Sequence, residues 1–301
     1  MNRQIVLAAA LALALAALSG PVRADALDTQ AIEQLTGFSG KLDAAEGVFK
    51  VSYPRKDLHV VADGVTITPP FGTTCWAAFQ RKGAMTMVMG DLVLTEAQVN
   101  PVMSVALDNG LAVTALHNHF FGDAPKVMFM HIGAMGDGVK LAAAVGKVFV
   151  EIKRPRPALA VRRTPLDPSA SKIDPAPIEG MLGVKGELSQ GVFKVTIGRP
   201  ASMGGMAIGK AMGVNTWAAF VGTNASAVVD GDFAMTEDEL QNVLRALRRA
   251  NIDVVAIHNH MALEQPRIVF LHFWGRGSVH DLAAGLKAAL DQTNTPGRGG
   301  R

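Results

Sequence analysis

The chain has 301 residues, 49% hydrophobic and 18% charged, with a formal net charge of +3. That is apolar enough to bury sizeable cores and too evenly charged for an extended nucleic-acid groove, which needs clustered Lys and Arg to neutralise phosphates. The single cysteine, Cys75, excludes an internal disulfide.

Residues 1–24 have the form of a secretory signal: Arg3, the apolar run Ile5 to Leu18, then the small-residue site Val22-Arg23-Ala24. Cleavage near Ala24 predicts a periplasmic or secreted product. The run is too short to span a bilayer and no second run of that kind follows, so no membrane span is expected. Loss of the leader takes Arg3 and Arg23 from the 29 basic residues and leaves 27 against 26 acids, which removes any nucleic-acid signature. The basic clusters Lys153 to Arg163 and Arg245 to Arg249 read as solvated surface.

In the first repeat, residues 25–150, the alternation of Val48 to Tyr53 predicts a strand, followed by strands at Trp76 to Phe79 and Ala84 to Val93. Cys75 and Trp76 are expected in the core, as are Met85, Met87 and Met89, which share one strand face. A helix starts at the capping box Thr95-x-x-Gln98 and stops at Asn109-Gly110, with Pro101 predicting a kink or a late start. A hairpin follows, Leu111 to Phe120 and Lys126 to Gly133 around a turn at 121–125, and a last helix covers Gly138 to Phe149. Residues 151–177 carry Pro155, Pro157, Pro165, Pro168, Pro175 and Pro177, which predicts an extended basic linker without regular helix. The second repeat, 178–292, retraces the first, including a capped helix from Thr236-x-x-Glu239; residues 293–301 are expected to be a disordered tail.

The retracing is literal. His117-Asn118-His119 with His131 recurs 141 residues later as His258-Asn259-His260 with His272, so six of the eight histidines fall in two matching triads. The same displacement maps Trp76-Ala77-Ala78-Phe79 onto Trp217-Ala218-Ala219-Phe220, Gly90-Asp91 onto Gly231-Asp232, Thr95-Glu96 onto Thr236-Glu237 and Pro125 onto Pro266. A repeat of this length is a whole domain. The predicted fold class is α+β, a tandem duplication in which each repeat is an antiparallel sheet with two helices packed on one face.

Residues two apart on a strand share a face, so His117 and His119 should project together, and a turn centred near Ala124 should bring His131 opposite His117. The second copy repeats this around Gln265 with His258, His260 and His272. Three neutral imidazoles with an open position suit a divalent transition metal, zinc first and copper second. Asp91 with Asp232, at a strand end, and Glu96 with Glu237, at a helix start, are the repeated carboxylates that can complete the site or serve as catalytic base. Gly204 to Lys210 resembles a phosphate loop but has Ala211 where Ser or Thr should bind magnesium, and is excluded.

The phrases Trp-Ala-Ala-Phe, Gly-Asp before a capped helix, and His-Asn-His followed by Pro and a third His resemble the LppY/LpqO family of secreted bacterial proteins over nearly the whole mature chain. Named members are lipoproteins, whereas Leu18-Ser19-Gly20-Pro21 offers no cysteine for a lipid. The resemblance implies a duplicated fold and no reaction. Two functions therefore stand side by side: metal-dependent hydrolysis at the paired triads, or a non-enzymatic cell-envelope module that binds a metal ion or small molecule, or a partner, with the histidines structural.

Overall fold

The computed structural model describes residues 27–159 and 166–294. The expected leader, and positions 295–301 of the expected tail, lie outside the described residues.

The first repeat runs α1 (Thr29–Thr36), β1 (Gly40–Asp43), β2 (Val48–Pro54), β3 (Val60–Ala62), β4 (Val65–Ile67), β5 (Thr74–Lys82), β6 (Met85–Thr95), α2 (Glu96–Asp108), β7 (Ala112–His117), β8 (Val127–Gly136) and α3 (Gly138–Lys153). The second repeats this order as α4 (Pro175–Leu182), β9 (Gly186–Ser189), β10 (Val192–Gly198), β11 (Ala201–Met203), β12 (Met206–Ile208), β13 (Asn215–Thr223), β14 (Ser226–Thr236), α5 (Glu237–Arg249), β15 (Asp253–His258), β16 (Ile268–Gly277) and α6 (Val279–Leu290). The architecture is α+β and antiparallel.

Three helices per repeat replace the expected two. The additional pair, α1 and α4, have eight residues each, too few to show a helical period. Their caps were nonetheless written in the chain: the Asp28 and Asp174 side chains accept from the second or third backbone N–H inside, and Gly37 and Gly183 close the other ends in the left-handed conformation. Helix α2 begins at its capping box, and Pro101 lies inside it without delaying its start. The proline-rich connector is also helical at both ends. Helix α3 continues to Lys153, and Pro175 occupies the first turn of α4, where a missing N–H costs nothing.

The expectation of one sheet per repeat also needs correction. Six strands from each half join in a single sheet of 12, in the order β1-β2-β5-β6-β8-β7-β15-β16-β14-β13-β10-β9. The seam is β7 against β15, with Leu116 paired to Ile257. Those residues are themselves 141 apart, so a pseudo-twofold axis passes between them. Alone, each half would expose the backbone groups of an edge strand; pairing with its own twin covers both edges.

Two side chains hold this seam. In β7 and β15 a register shift skips Thr114 and Val255, directly after Val113 and Val254. Asn100 on α2 accepts from the Val254 N–H at 2.8 Å and donates to its carbonyl at 3.2 Å. Gln241 on α5, its repeat counterpart, accepts from the Val113 N–H at 2.9 Å and donates to its carbonyl at 2.8 Å. Each repeat thus satisfies backbone groups of the other beside its bulge. Arg248, expected on solvated surface, also spans the seam: it donates to Ser104 Oγ at 3.2 Å and to the Ile252 carbonyl and Asp253 at 2.8 Å.

Among the described residues the six α-helices lie on one face, over Ala77, Phe79, Val88 and Leu92 and their counterparts. The other face is partly covered at one end by two-stranded ribbons, β3 with β4 and β11 with β12, tied to the hairpin loops by the bridges Val61 to Ala124 and Ser202 to Gln265. The rest of that face is open. Trp76 and Trp217 stand on it, half-buried under Lys50 and Lys194, whose ammonium groups sit 4.1 and 4.2 Å from the ring centroids, so neither tryptophan fills the core. Among the described residues no helix is long and apolar enough to cross a membrane.

Candidate metal centres

Both triads converge on the open face, by a route the sequence did not disclose. Strand β7 ends at His117, which pairs with Phe129, while His131 pairs with Ala115. The hairpin therefore centres on Asp123, whose carboxylate accepts from the Val127 N–H at 2.8 Å, one residue earlier than expected. His117 and His131 are diagonal rather than opposite, and His119 stands in the loop beyond the strand. The rings still meet: the Nε2 atoms of His117 and His131 are 3.1 Å apart, and the His119 centroid lies 5.2 Å from that of His117. His119 is held there by stacking on Phe129, centroid to centroid 3.4 Å.

The second centre follows the same plan. His258 Nε2 lies 3.1 Å from His260 Nε2, the His258 and His272 centroids are 4.8 Å apart, and His260 stacks on Phe270 at 3.6 Å. Phe129 and Phe270 are again 141 apart; that match in the sequence was the available signal for the ring that supports the loop histidine.

A carboxylate enters each centre from the neighbouring strand. Asp91 is directly opposite His131, and Asp232 directly opposite His272. Asp232 is 1% exposed, with Oδ2 3.2 Å from His260 Nε2. One atom each of Asp232, His258 and His272 all lie within 4.8 Å of one another, a spacing that can hold a metal ion. Glu96 and Glu237 do not join either group. They are exposed and pair with Lys126 at 3.6 Å and Arg267 at 2.9 Å.

The glycine before each aspartate is required by packing. A Cβ on Gly231 would stand 2.1 Å from Phe273 Cζ and 2.4 Å from the Trp217 carbonyl oxygen, and one on Gly90 would stand 2.8 Å from the Trp76 carbonyl. Gly231→Ala must move strand β13 or β14 and is expected to cost about 1–3 kcal/mol. Chemical denaturation checks the loss, and a variant as stable as wild type would contradict the close approach.

The electrostatics favour cation capture over a standing charge. Burial pushes the Asp232 carboxyl up to about 7, against the pull of His272. Burial, then the charges of His272 and His260, push His258 down to about 4. His260 and His119 are lowered for the same first reason, burial. At neutral pH His119, His258 and His260 are therefore free bases, the form that coordinates metal. Two ring nitrogens are committed as donors, His272 Nδ1 to the Gly231 carbonyl at 3.3 Å and His117 Nδ1 to the Asn118 carbonyl at 3.4 Å, which turns the Nε2 lone pair of each toward the centre. Asp91 Oδ1, Asp232 Oδ1 and His258 Nδ1 are buried without a hydrogen-bond partner among the described residues. Such orphans are costly unless something else satisfies them, and a cation satisfies both oxygens.

The two centres flank the seam on the same face. The centres lie over β8 and β16, three strand spacings or about 14 Å apart, with β7 and β15 between.

A family model described as Domain of Unknown Function (DUF1259) matches residues 30–150 and again 176–292. The chain belongs to the DUF1259 family. Each DUF1259 copy carries one complete histidine and aspartate group, so the duplication of the domain is also a duplication of the site. No curated protein matches the sequence. Among solved structures, a trimeric bacterial microcompartment shell protein, PduB, aligns at 12% identity over 83% of this chain and 88% of that one, with a TM-score of 0.20. At that score the overlap carries no argument.

Proposed function

We propose that the protein is an exported metal-binding protein, related to the LppY/LpqO family it resembles, in which each DUF1259 copy holds one divalent transition ion, zinc before copper. His117, His119, His131 and Asp91 would hold one ion; His258, His260, His272 and Asp232 the other. The observation that carries this reading is the pair of buried aspartate oxygens without partners among the described residues, Asp232 beside His258, His260 and His272 and Asp91 opposite His131. When bound, such an ion supplies Lewis acidity and lowers the pKa of coordinated water, which makes hydrolysis the reaction class to test.

In this reading the chain's own groups orient and exclude. Phe129 and Phe270 fix the loop histidines, the ribbons close one end, and the open face admits a small ligand. Glu96 and Glu237 are held in ion pairs and take no part as base, which favours the binding role over hydrolysis.

Protein purified after metal-replete expression is expected to carry two divalent ions per chain. His117→Ala with His131→Ala lowers the count to one, as does His258→Ala with His272→Ala, with folding followed by circular dichroism. No metal in the folded wild-type protein overturns the proposal. Turnover on an ester, phosphate or amide panel that EDTA abolishes and zinc restores supports hydrolysis; a saturable melting shift without turnover supports the binding role.

A further inference from the structure

Met85, Met87 and Met89 lie on alternate positions of β6 and therefore share the open face. Their exposure is 47%, 36% and 56%, and Met135, directly opposite Met87 across β6 and β8, is 66% exposed. This overturns the reading of the β6 methionines as core packing. The fold does not ask for them either: the matching positions in the second copy are Ser226, Val228, Asp230 and Arg276.

Four flexible apolar side chains left in water on one patch need a reason. We propose that Met85, Met87, Met89 and Met135 form a thioether site for Cu(I), a soft monovalent ion. The geometry permits it. Side-chain roots of Met87 and Met135 are about 5 Å apart as a cross-strand pair, and neighbours along β6 about 7 Å apart. Met85 and Met89 are two such steps, about 13 Å, apart, too far to share one ion, so the three rotatable bonds of methionine let Met87 and Met135 converge on it with either Met85 or Met89 as the third sulfur. Neutral thioethers select Cu(I) over zinc, magnesium or calcium, which prefer nitrogen or oxygen donors. They also do not titrate, so capture here is independent of pH where capture by imidazole is not.

The site is independent of the histidine centres, although it adjoins the first: Met89 precedes Asp91 by two residues on the same face, whereas the second centre has Asp230 in that place. The two copies are thereby distinguished by what leads up to them.

The test is anaerobic titration of the full chain with Cu(I) against a chromophoric chelator, combined with X-ray absorption. Wild type is expected to show sulfur in the first coordination shell and an affinity unchanged between pH 5 and 8. Replacing Met85, Met87, Met89 and Met135 by Leu should weaken Cu(I) binding at least tenfold and remove the sulfur signal, with zinc content unchanged. If that variant fails to fold, Met87→Leu with Met135→Leu is read instead, and the wild-type spectrum stands alone as a second measurement. A first shell of nitrogen and oxygen only, or equal affinity in the variants, overturns the proposal. A patch that ignores Cu(I) but loses a protein partner on the same substitutions overturns it in favour of a docking surface.

Discussion

If each centre holds an ion as proposed, removing it with EDTA is expected to lower the melting temperature by roughly 10 °C or more, and zinc is expected to restore it. A ligand present at 100 times its Kd stabilises the folded state by about 2.7 kcal/mol, so two occupied centres contribute about 5 kcal/mol. For a protein of this size each kcal/mol moves the midpoint by roughly 2–4 °C. The shift should depend on pH in a defined direction. Asp232 must be ionised to face a cation, and its carboxyl is pushed up to about 7, so each pH unit below that weakens the second centre by about tenfold. His258, held down at about 4, is a free base throughout this range and adds no slope. Calorimetric scans with and without zinc at pH 5.5 and 7.5 check this. An identical zinc effect at the two pH values in a variant lacking the first centre would contradict it.

The metal-free protein has a second signature. Asp232 holds its proton more tightly folded than unfolded, so its contribution favours the folded state at low pH and is lost as pH rises from about 4 through about 7. His258 does the opposite. Its proton is bound less tightly folded than unfolded, so stability rises with pH from about 4 to the ordinary histidine value near 6.5. The two slopes oppose each other over the same window. Wild type should therefore be nearly flat there, Asp232→Asn should gain stability as pH rises, and His258→Gln should lose it.

How much of this was legible follows from which interactions are local. The capping boxes at Thr95 and Thr236, the stop at Asn109-Gly110 and the 141-residue displacement are written in adjacent residues, and each appears in the fold. The seam is different. That Leu116 pairs with Ile257, and that Asn100 and Gln241 cross it, depends on contacts 128 to 154 residues apart in the chain, which no window of the sequence contains. The site stands between these cases. The six histidines were plain, but the rings meet through a bulge between Val113 and Ala115 and a loop position for His119, not through the simple alternation that pointed to them. The aspartates were legible as repeated residues, and their place opposite His131 and His272 was not, because that place is set by the register of β6 on β8 and of β14 on β16. The exposed methionines show the limit of composition: an apolar alternation on one strand says that a face is apolar, not that anything covers it.

The largest single loss of stability is expected away from the metal centres, at Glu239→Ala. Arg199 and Glu239 meet at 2.7 Å beneath the strand-to-helix corner of the second repeat, with side chains 7% and 3% exposed. Glu239 also accepts from the Thr236 N–H at 2.8 Å, so one carboxylate both caps α5 and neutralises a buried guanidinium. Truncating it leaves Arg199 charged with nothing to face, which costs about 3–5 kcal/mol. The first repeat supplies the control. Its counterpart of Glu239 is Gln98, which accepts from the Thr95 N–H at 2.9 Å and donates to the Ile152 carbonyl at 2.8 Å, while buried Arg55 is paired with Asp57 at 2.8 Å instead. Gln98→Ala removes the same cap but leaves that ion pair intact, and is expected to cost about 1–3 kcal/mol, the loss of buried hydrogen bonds alone. Denaturation of the two variants side by side separates charge from capping, because each side chain caps its helix and accepts from a buried arginine, Gln98 from Arg55 at 3.3 Å, but only Glu239 brings an anion. Equal losses would mean that capping dominates and that Arg199 finds another partner. A larger loss at Glu239, with both variants retaining two metal ions per chain, would show that the duplicated scaffold and the duplicated site are separable parts of the same sheet.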